Sequence, residues 1–422
     1  MVPNRDDQLL GELLDSSHAI SMQQIPVVVA DTAGRAGYRD AVIFLADIQQ
    51  SVLRPLRGRD AQEPPHIRCA PSEIRVEGTL AGRAFQNVAG VQGPAADGGG
   101  TVWWVPILDG IERLGVLEIV APPGDADVLP FLWRLAGLVG LMVVSKRALS
   151  DTYAQLLRTQ PMTVSAEMQW RLMPPRTFAN DRVVIGALLE PAYELGGDAF
   201  DYGLAGDIVH LAIFDAMGHD TTSGLTSNLA VATCRNSRLQ GADLLETGKA
   251  IEEILERQFA ATSYVTALLA RLDSRTGMLT WTNHGHPAPV VIRNGRWVTI
   301  LECPPAAPLG TGLGNDAVLC QEQLEPGDRI LLYTDGIIEA RNSSGQEFGL
   351  HRFVDFIIRH NADGLPVPET LRRLVRSILE HHAGRLDDDA SVLLLEWRGP
   401  DGRIPPRGPA PGLRGSWPAA EA

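Results

Sequence analysis

Short runs in which apolar residues dominate recur along the C-terminal half of the chain, from about residue 182 onward. The runs are rich in β-branched residues and are separated by turn residues, which is typical of strands. They read RVVIGALLE, DIVHLAIFD, YVTALLARLD, LTWTNHG, APVVIRNG, RWVTIL, RILLYTD and ASVLLLEWR. Between these runs lie segments in which apolar residues recur at helical spacing, at about 221–238, 242–259, 350–360 and 368–382. This alternation predicts an α+β fold in which two antiparallel sheets pack face to face and helices cover them.

The N-terminal part mixes strand and helix patterns. Strands are predicted at 41–48, 102–108 and 114–120, and residues 127–173 have helical patterning nearly throughout, with one break at Pro161. The predicted organisation is a leader at 1–19 that is either a short helix or mobile, an α/β domain at 20–126, a helical linker at 127–175, a second domain at 176–398 and a disordered Pro/Gly-rich tail at 399–422.

One apolar segment, VLPFLWRLAGLVGLMVVSKR, is similar to a membrane span in its length and composition. Pro130 and Arg134 interrupt it, and the uninterrupted run of residues 135–144 is too short to cross a bilayer. We therefore predict no membrane span here. A helix that is buried or that forms a homodimer through its apolar face is favoured instead.

Charge and cysteine content narrow the possible partners. The chain has 422 residues and a formal net charge of -14, so its surface repels nucleic acid phosphates and anionic lipids. Its four cysteines show neither a CxxC pair nor framework spacing, which argues against a zinc site and a disulfide scaffold and favours a reducing, cytoplasmic location. Nucleic acid and membranes are therefore not expected as partners.

Acidic residues recur where the predicted strands end. Asp198 and Asp201 lie in GGDAFD, Asp215 ends the run LAIFD, Asp335 follows RILLYT, and the triple acid at 387–389 precedes the last strand. Acids gathered at sheet edges repel one another unless cations lie between them. Oxygen-only clusters select hard ions such as Mg²⁺ or Mn²⁺. Glycines before Asp198 and after Asp215 and Asp335 allow the backbone to approach closely.

Two such ions about 3.5 to 4 Å apart activate water and clamp a phosphoryl group. The sequence has no GxSxG elbow, no paired Cys and His motif and no GxxxxGK[ST] loop, which argues against a protein nucleophile and against nucleotide binding. Metal-dependent hydrolysis of a phosphoester is the chemistry that remains.

Eight motifs in a fixed order carry a family resemblance over about residues 165–397. They are GGDAFD, FDAMGHD, TALLARLD, NHGHPAPVVI, PLG, LEPGDRILLYTDGIIEAR, GQEFG and DDDASVLLL. In this order they resemble the SpoIIE/RsbU branch of the metal-dependent PPM serine/threonine phosphatases. The preceding AEMQWRLMPP resembles the helix and proline that lead into such domains.

The resemblance implies an α-β-β-α sandwich with two Mn²⁺ or Mg²⁺ ions at one edge. Asp215 would bridge both ions, and Ala216 would add its backbone carbonyl. Asp198 would serve the second ion, and Asp335 and Asp388 would complete the first, with Asp389 replacing or supporting Asp388. A hydroxide bridging the two ions would attack phosphorus.

The relatives' common substrate, a phosphorylated STAS-domain antagonist of an anti-sigma factor in a partner-switching pathway, is what the resemblance implies here. The segment IRVEGTLAGRAFQN, followed by VWWVPILDGIERLGVLEIVAP, resembles a GAF domain, which implies a sensor for an unknown signal. A generic α/β domain is the alternative for this part.

The chain departs from the SpoIIE/RsbU pattern at Asp220, His284, Phe200 and Ser391. Asp220, where relatives carry glycine, either caps the following helix or alters metal affinity. Because of Asp220 and His284, a catalytically inactive phosphatase fold that acts as a binding module stays open as an alternative function. A transition-metal site at His219, His284 and His286 is a second alternative, less favoured than roles for these histidines in turns and helix starts.

Overall fold

The computed structural model describes residues 5–402, except 59–64, 96–97, 124–127, 195, 219, 294, 296, 315, 342–344, 363–364, 382–385 and 387. The chain divides into two compact units, with the boundary between residues 160 and 161. The predicted tail lies mostly outside the described residues.

The first unit is built on one antiparallel sheet of six strands. Its strands are β1 Arg39–Ala46, β2 Val52–Pro55, β3 Ile74–Arg75, β4 Val91–Pro94, β5 Thr101–Asp109 and β6 Glu112–Ala121. Its helices are α1 Arg5–Ser17, α2 Ile25–Arg35, α3 Pro65–Cys69, α4 Leu80–Asn87, α5 Leu129–Arg147 and α6 Asp151–Leu157, with a 3-10 turn at Met22–Gln24. The strand order is β3-β2-β1-β6-β5-β4. Helices α2 and α5 contact the sheet through one buried cluster, and α4 contacts it through another. The three predicted strands are confirmed, while the GAF-like interpretation stays a prediction.

The structure decides between the two alternatives for the leader and corrects the linker. Residues 5–17 form a helix whose Leu9, Leu10 and Leu13 are buried, so the short helix is the correct alternative and it is part of the first unit. The linker is not one long helix, because α5 and α6 end before the boundary and a separate helix begins at Val164.

Helix α5 is a core element of the first unit. It is the one helix among the described residues with the length and apolar composition of a membrane span. Its residues Leu132, Leu135 and Val139 are buried in the cluster that α5 shares with β5 and β6. The apolar face on which we based a homodimer is therefore covered by the unit's own sheet.

The second unit is an α-β-β-α sandwich, as expected. Its strands are β7 Thr177–Ala179, β8 Val183–Glu190, β9 Asp198–Ala205, β10 Ile208–Ala216, β11 Val265–Asp273, β12 Met278–His284, β13 Val290–Arg293, β14 Trp297–Ile300, β15 Cys320–Gln323, β16 Arg329–Tyr333 and β17 Ala390–Trp397. Its helices are α7 Val164–Leu172, α8 Thr221–Leu239, α9 Leu244–Phe259, α10 Asp335–Ile338, α11 Leu350–Ala362 and α12 Val367–His381. The predicted strands and the four predicted helices are confirmed, with ends shifted by a few residues.

The two sheets of this unit share one buried cluster. One sheet has the order β15-β12-β11-β10-β9, and the other has the order β14-β13-β16-β17-β8-β7. Phe200 and Ile213 of the first sheet and Ile330 and Leu393 of the second are buried in the same core. Helices α8 and α9 cover the five-stranded sheet, and α12 packs on β8 of the six-stranded sheet. The sandwich thus brings the ends of β10, β16 and β17 to positions fixed by the core.

Cys303 and Cys320 form a disulfide with a Cα–Cα distance of 5.9 Å. The sequence did not suggest a disulfide, because 17 residues separate the two cysteines and only the fold brings β15 beside the segment after β14. The cysteine argument for a reducing compartment is weakened accordingly.

Candidate two-metal active site

The first two predicted ligands lie side by side on neighbouring strands. Asp198 is the first residue of β9, and Asp215 is the last residue but one of β10. The antiparallel register places them directly opposite each other. Two carboxylates on adjacent strands at the same point of a sheet cannot separate without breaking the ladder.

The other sheet delivers the remaining acids. Asp335 opens α10 immediately after β16, and Asp388 and Asp389 come just before β17. Strands β16 and β17 are hydrogen-bonded partners, so their acidic ends lie at the same edge of the sheet. Asp389 is buried and Asp388 is exposed. All five predicted acids are thus at one end of the sandwich.

A chain of hydrogen bonds joins the two sheets at this edge. The Thr334 hydroxyl donates to Asp198 Oδ2 at 2.6 Å and accepts from the Ser391 amide at 2.9 Å. Asp389 Oδ2 accepts from the amides of Gly196 at 2.8 Å and Asp198 at 3.3 Å. These bonds fix the carboxylate of Asp198 and the loop before it relative to β16 and β17.

Two glycines make the close approach possible, as their positions in the motifs suggested. A Cβ on Gly197 would lie 2.2 Å from the Ala216 carbonyl oxygen, and a Cβ on Gly336 would lie 1.9 Å from the Asp389 carbonyl oxygen. Side chains at either position would push the acid-bearing segments apart.

Burial and the repulsion among neighbouring carboxylates raise pKa values in the site. Burial, followed by the charges of Asp335, Asp388 and Asp389, raises the pKa of Asp215 to about 7. Burial and the charges of Asp215 and Asp389 also hold the pKa of Asp198 well above its usual range. Each of these shifts reflects an unfavourable energy that a cation between the carboxylates would relieve.

Asp389, which is buried, and Asp335, which is half-buried, behave in the same way. Burial raises the pKa of Asp389 to about 6, although the amides of Asp198 and Gly196 act in the opposite direction. Burial and the charge of Asp388 raise the pKa of Asp335.

The donor set fits Mn²⁺ or Mg²⁺ in its chemistry. It consists of carboxylate oxygens and the carbonyl of the buried Ala216, which are the ligands that hard divalent ions prefer. Within the described residues, no three acidic, histidine or cysteine side chains already have the geometry of a bound ion's ligands. The residue types and their mutual repulsion therefore support the site, while the individual ligand roles stay predictions.

Asp201 does not belong to this cluster, although the sequence placed it among the strand-end acids. Its carboxylate binds Arg235 at 2.5 Å and Arg238 at 2.7 Å, both on α8. Because the arginines neutralise it, Asp201 attaches α8 to β9 and is not available to a metal ion.

Asp220 caps helix α8, which was one of the two roles expected for it. Its carboxylate accepts from the amides of Thr222 at 2.8 Å and Ser223 at 3.0 Å. The predicted positions at His219 and Asp387 lie outside the described residues.

The histidines do not favour a transition-metal site. His286 Nε2 donates to the Tyr333 carbonyl at 3.1 Å, and its Nδ1 accepts from the Thr266 hydroxyl at 2.8 Å, so both ring nitrogens are occupied. Burial lowers the pKa of His286 to about 3 and the pKa of His284 to about 4. His286 instead holds the backbone at the end of β16, next to Thr334 and Asp335.

Known proteins match the part of the chain that carries this site. The family model described as Stage II sporulation protein E (SpoIIE) matches residues 205–398, a range that includes Asp215, Asp335, Asp388 and Asp389 and begins just after Asp198. The second unit carries a PPM-type serine/threonine phosphatase domain of the SpoIIE family.

Individual relatives are more distant. The phosphoserine phosphatase RsbU of Bacillus subtilis is 21% identical over 235 residues, which are 55% of this chain and 68% of RsbU. The SiaA-PP2C domain of Pseudomonas aeruginosa is 22% identical, with a TM-score of 0.48 over 55% of this chain and 94% of that domain. A structure of RsbU and RsbW domains from Mycobacterium tuberculosis is 23% identical, with a TM-score of 0.46 over 54% of this chain and 64% of that one. The residues that match the family model, 205–398, all lie in the second unit.

Proposed function

We propose that this protein removes phosphate from phosphoserine or phosphothreonine of a protein, with the help of two Mn²⁺ or Mg²⁺ ions. The observation that carries the proposal is the meeting of Asp198 and Asp215 with three acids of the other sheet. The charges that act most on Asp215 are those of other carboxylates. Such a cluster is costly in a protein without cations and useful in one that binds them.

The chain's own residues have distinct tasks in this proposal. Asp215, which faces acids from both sheets, would be shared between the two ions. Thr334 holds Asp198, and Asp389 holds the loop before Asp198 through backbone amides. When bound, two divalent ions would supply an activated water and a clamp for the phosphoryl group. Asp335 and Asp388 would complete the ligand set on the side of the six-stranded sheet.

The proposed substrate is a phosphorylated STAS-domain protein of a partner-switching pathway. The similarity to the phosphoserine phosphatase RsbU supports a phosphoprotein substrate, and the STAS class is the finer part of the proposal. We further propose that the first unit is a GAF-like sensor for an unidentified signal and that the protein acts in the cytoplasm. A homodimer would have to form through a surface other than the face of α5 that the sheet covers.

The test uses the full-length protein with p-nitrophenyl phosphate and with a panel of phosphorylated STAS-domain proteins. We expect phosphate release that needs Mn²⁺ or Mg²⁺, stops with a chelator and is lost in Asp215→Asn. Asp207→Asn is the matched control, because Asp207 lies in the turn at the other end of β9 and β10 and binds the Arg182 side chain. Metal-independent release, or equal activity of Asp215→Asn and wild type, would contradict the proposal.

A retired phosphatase that serves as a binding module is the second candidate. The Asp220 and His284 departures are its only support, and Asp220 has a structural task as a helix cap. Calorimetric titration with Mn²⁺ separates the candidates, since a retired site should bind the ion poorly. Binding of Mn²⁺ without hydrolysis of any phosphoester would favour the binding module.

A further inference from the structure

Helix α7, the first helix of the second unit, lies along the segment that leads to Asp198. The Thr163 amide just before α7 donates to the Tyr193 carbonyl at 2.9 Å, and Trp170 Nε1 donates to the Ala192 carbonyl at 2.7 Å. The helix therefore contacts this segment from its N-terminal cap to its last turn.

Gln169 is the residue of α7 that reaches furthest toward the acidic site. Its side chain is fully buried, and its Nε2 donates to the carbonyl oxygens of Gly196 and Asp198, at 2.9 Å each. Only the NH₂ end of the amide can donate two hydrogen bonds, so these carbonyls fix its orientation. A single side chain thus joins the backbone carbonyls of the two residues on either side of Gly197.

Other contacts also hold the loop that Gln169 bridges. The Gly197 carbonyl accepts from the Ser227 hydroxyl of α8 and from the Ala216 amide at 3.1 Å. A Cβ on Gly197 would also collide with the Ala216 carbonyl, as described above. Any shift of the Gly196 and Asp198 carbonyls would therefore move Asp198 relative to Ala216 and Asp215.

We propose that Gln169 is a positioning residue for the metal site: its two hydrogen bonds set the place of Asp198 relative to Asp215 and Ala216. This inference rests on the proposed function, because it gives Asp198 and Ala216 their roles as ligands. Partners that orient metal ligands affect metal affinity by about 10 to 100-fold when they are removed. Gln169 acts through backbone carbonyls and does not itself contact substrate or metal.

The test compares Mn²⁺ binding by calorimetry in full-length wild type, Gln169→Met and Trp170→Phe. Methionine keeps the length and the unbranched shape of glutamine but donates no hydrogen bond. Trp170→Phe is the matched control, since it removes one hydrogen bond between the same helix and the same segment, further from the acids. We expect Gln169→Met to bind Mn²⁺ about 10 to 100-fold more weakly, and Trp170→Phe to bind it as wild type does.

Thermal unfolding without metal separates positioning from general damage. If Gln169→Met and Trp170→Phe lose similar metal-free stability but only Gln169→Met loses affinity, the positioning role is supported. Equal Mn²⁺ affinity in wild type and Gln169→Met overturns it. If wild type itself binds no Mn²⁺, the proposed function has failed; if wild type binds Mn²⁺, Asp215→Asn does not and Gln169→Met does so normally, only the positioning role has failed.

Hydrogen exchange on wild type provides a test that does not depend on a variant's folding. Bound Mn²⁺ should slow backbone exchange in the peptide covering 164–172 together with the peptide covering 196–200. Slowing confined to 196–200 would show that α7 is not coupled to the loop and would overturn the inference.

Discussion

Asp198 and Asp201 lie three residues apart on β9, and both are almost completely buried, yet their surroundings are opposite. Asp201 meets two arginines of α8, so its charge is neutralised inside the fold. Asp198 meets Asp215 and Asp389, which share its charge sign, together with the hydroxyl of Thr334. The difference teaches that burial alone does not mark a functional acid. An acid whose charged neighbours are acids is stabilised by a proton or by a cation between the carboxylates.

The largest effect is expected from removing the charge of Asp215, the acid on which most of the other carboxylates act. Asp215→Asn should lower metal-dependent phosphatase activity by more than the roughly 100-fold expected for loss of an outer partner. The same variant should unfold at a higher temperature than wild type without metal, because it removes a repelled buried charge. Steady-state kinetics and metal-free thermal unfolding measure the two effects. A variant that loses stability along with activity would mean that Asp215 is structural, like Asp201.

The complementary change is Asp201→Asn, which leaves Arg235 and Arg238 without their carboxylate. We expect a loss of about 3 kcal/mol in the free energy of unfolding, the lower end for a broken buried pair because the arginines are partly exposed. Urea unfolding measures the loss, and calorimetry should still detect Mn²⁺ binding. If Asp201→Asn kept its stability and lost Mn²⁺ binding, the distinction between the two acids would be wrong.

The pH dependence of metal-free stability sharpens the comparison further. The pKa of Asp215 is raised to about 7 and that of Asp389 to about 6, so the folded state binds more protons than the unfolded state between about pH 4 and pH 7. These two acids therefore contribute stability below about pH 4 that is lost as the pH rises toward 7. The difference in melting temperature between wild type and Asp215→Asn, both without metal, isolates this effect.

The expected curve has a clear sign. The melting temperature of Asp215→Asn should increase relative to that of wild type as the pH rises from 4 to 7. Near pH 7, added Mn²⁺ should raise the melting temperature of wild type again. A difference between the two proteins that stays constant with pH would contradict repulsion among the acids.

The smallest effect concerns an acid whose partners are neither cations nor acids. Asp220 accepts backbone amides at the start of α8, so Asp220→Gly should cost only a few tenths of a kcal/mol, whereas Asp220→Ala should cost about 1 kcal/mol. Mn²⁺ affinity should be unchanged in both variants, as measured by thermal unfolding and calorimetry. Tighter Mn²⁺ binding by Asp220→Gly would show that this acid also influences the metal site.

Strand-end acids and ordered motifs were enough to predict the sandwich and to bring five acids to one edge. Local patterning determines the strands and the helix starts. An acid next to a strand end must lie at the edge of the sheet that contains the strand. The role of Asp201 could not be predicted in this way, because its arginines lie more than 30 residues later on α8. Gln169 and the Cys303–Cys320 disulfide were missed for the same reason. Their partners become visible only when distant segments have packed.

The position of β17 has a consequence for how the protein is made. This last strand lies between β16 and β8, and Asp389 directly before it holds a loop that was synthesised almost 200 residues earlier. A nascent chain on the ribosome therefore has an open gap in the middle of its six-stranded sheet, with two unpaired strand edges, until nearly all of the domain has been translated. Under the proposed function, activity begins only when synthesis is almost complete, and we expect a product truncated before residue 390 to bind no Mn²⁺.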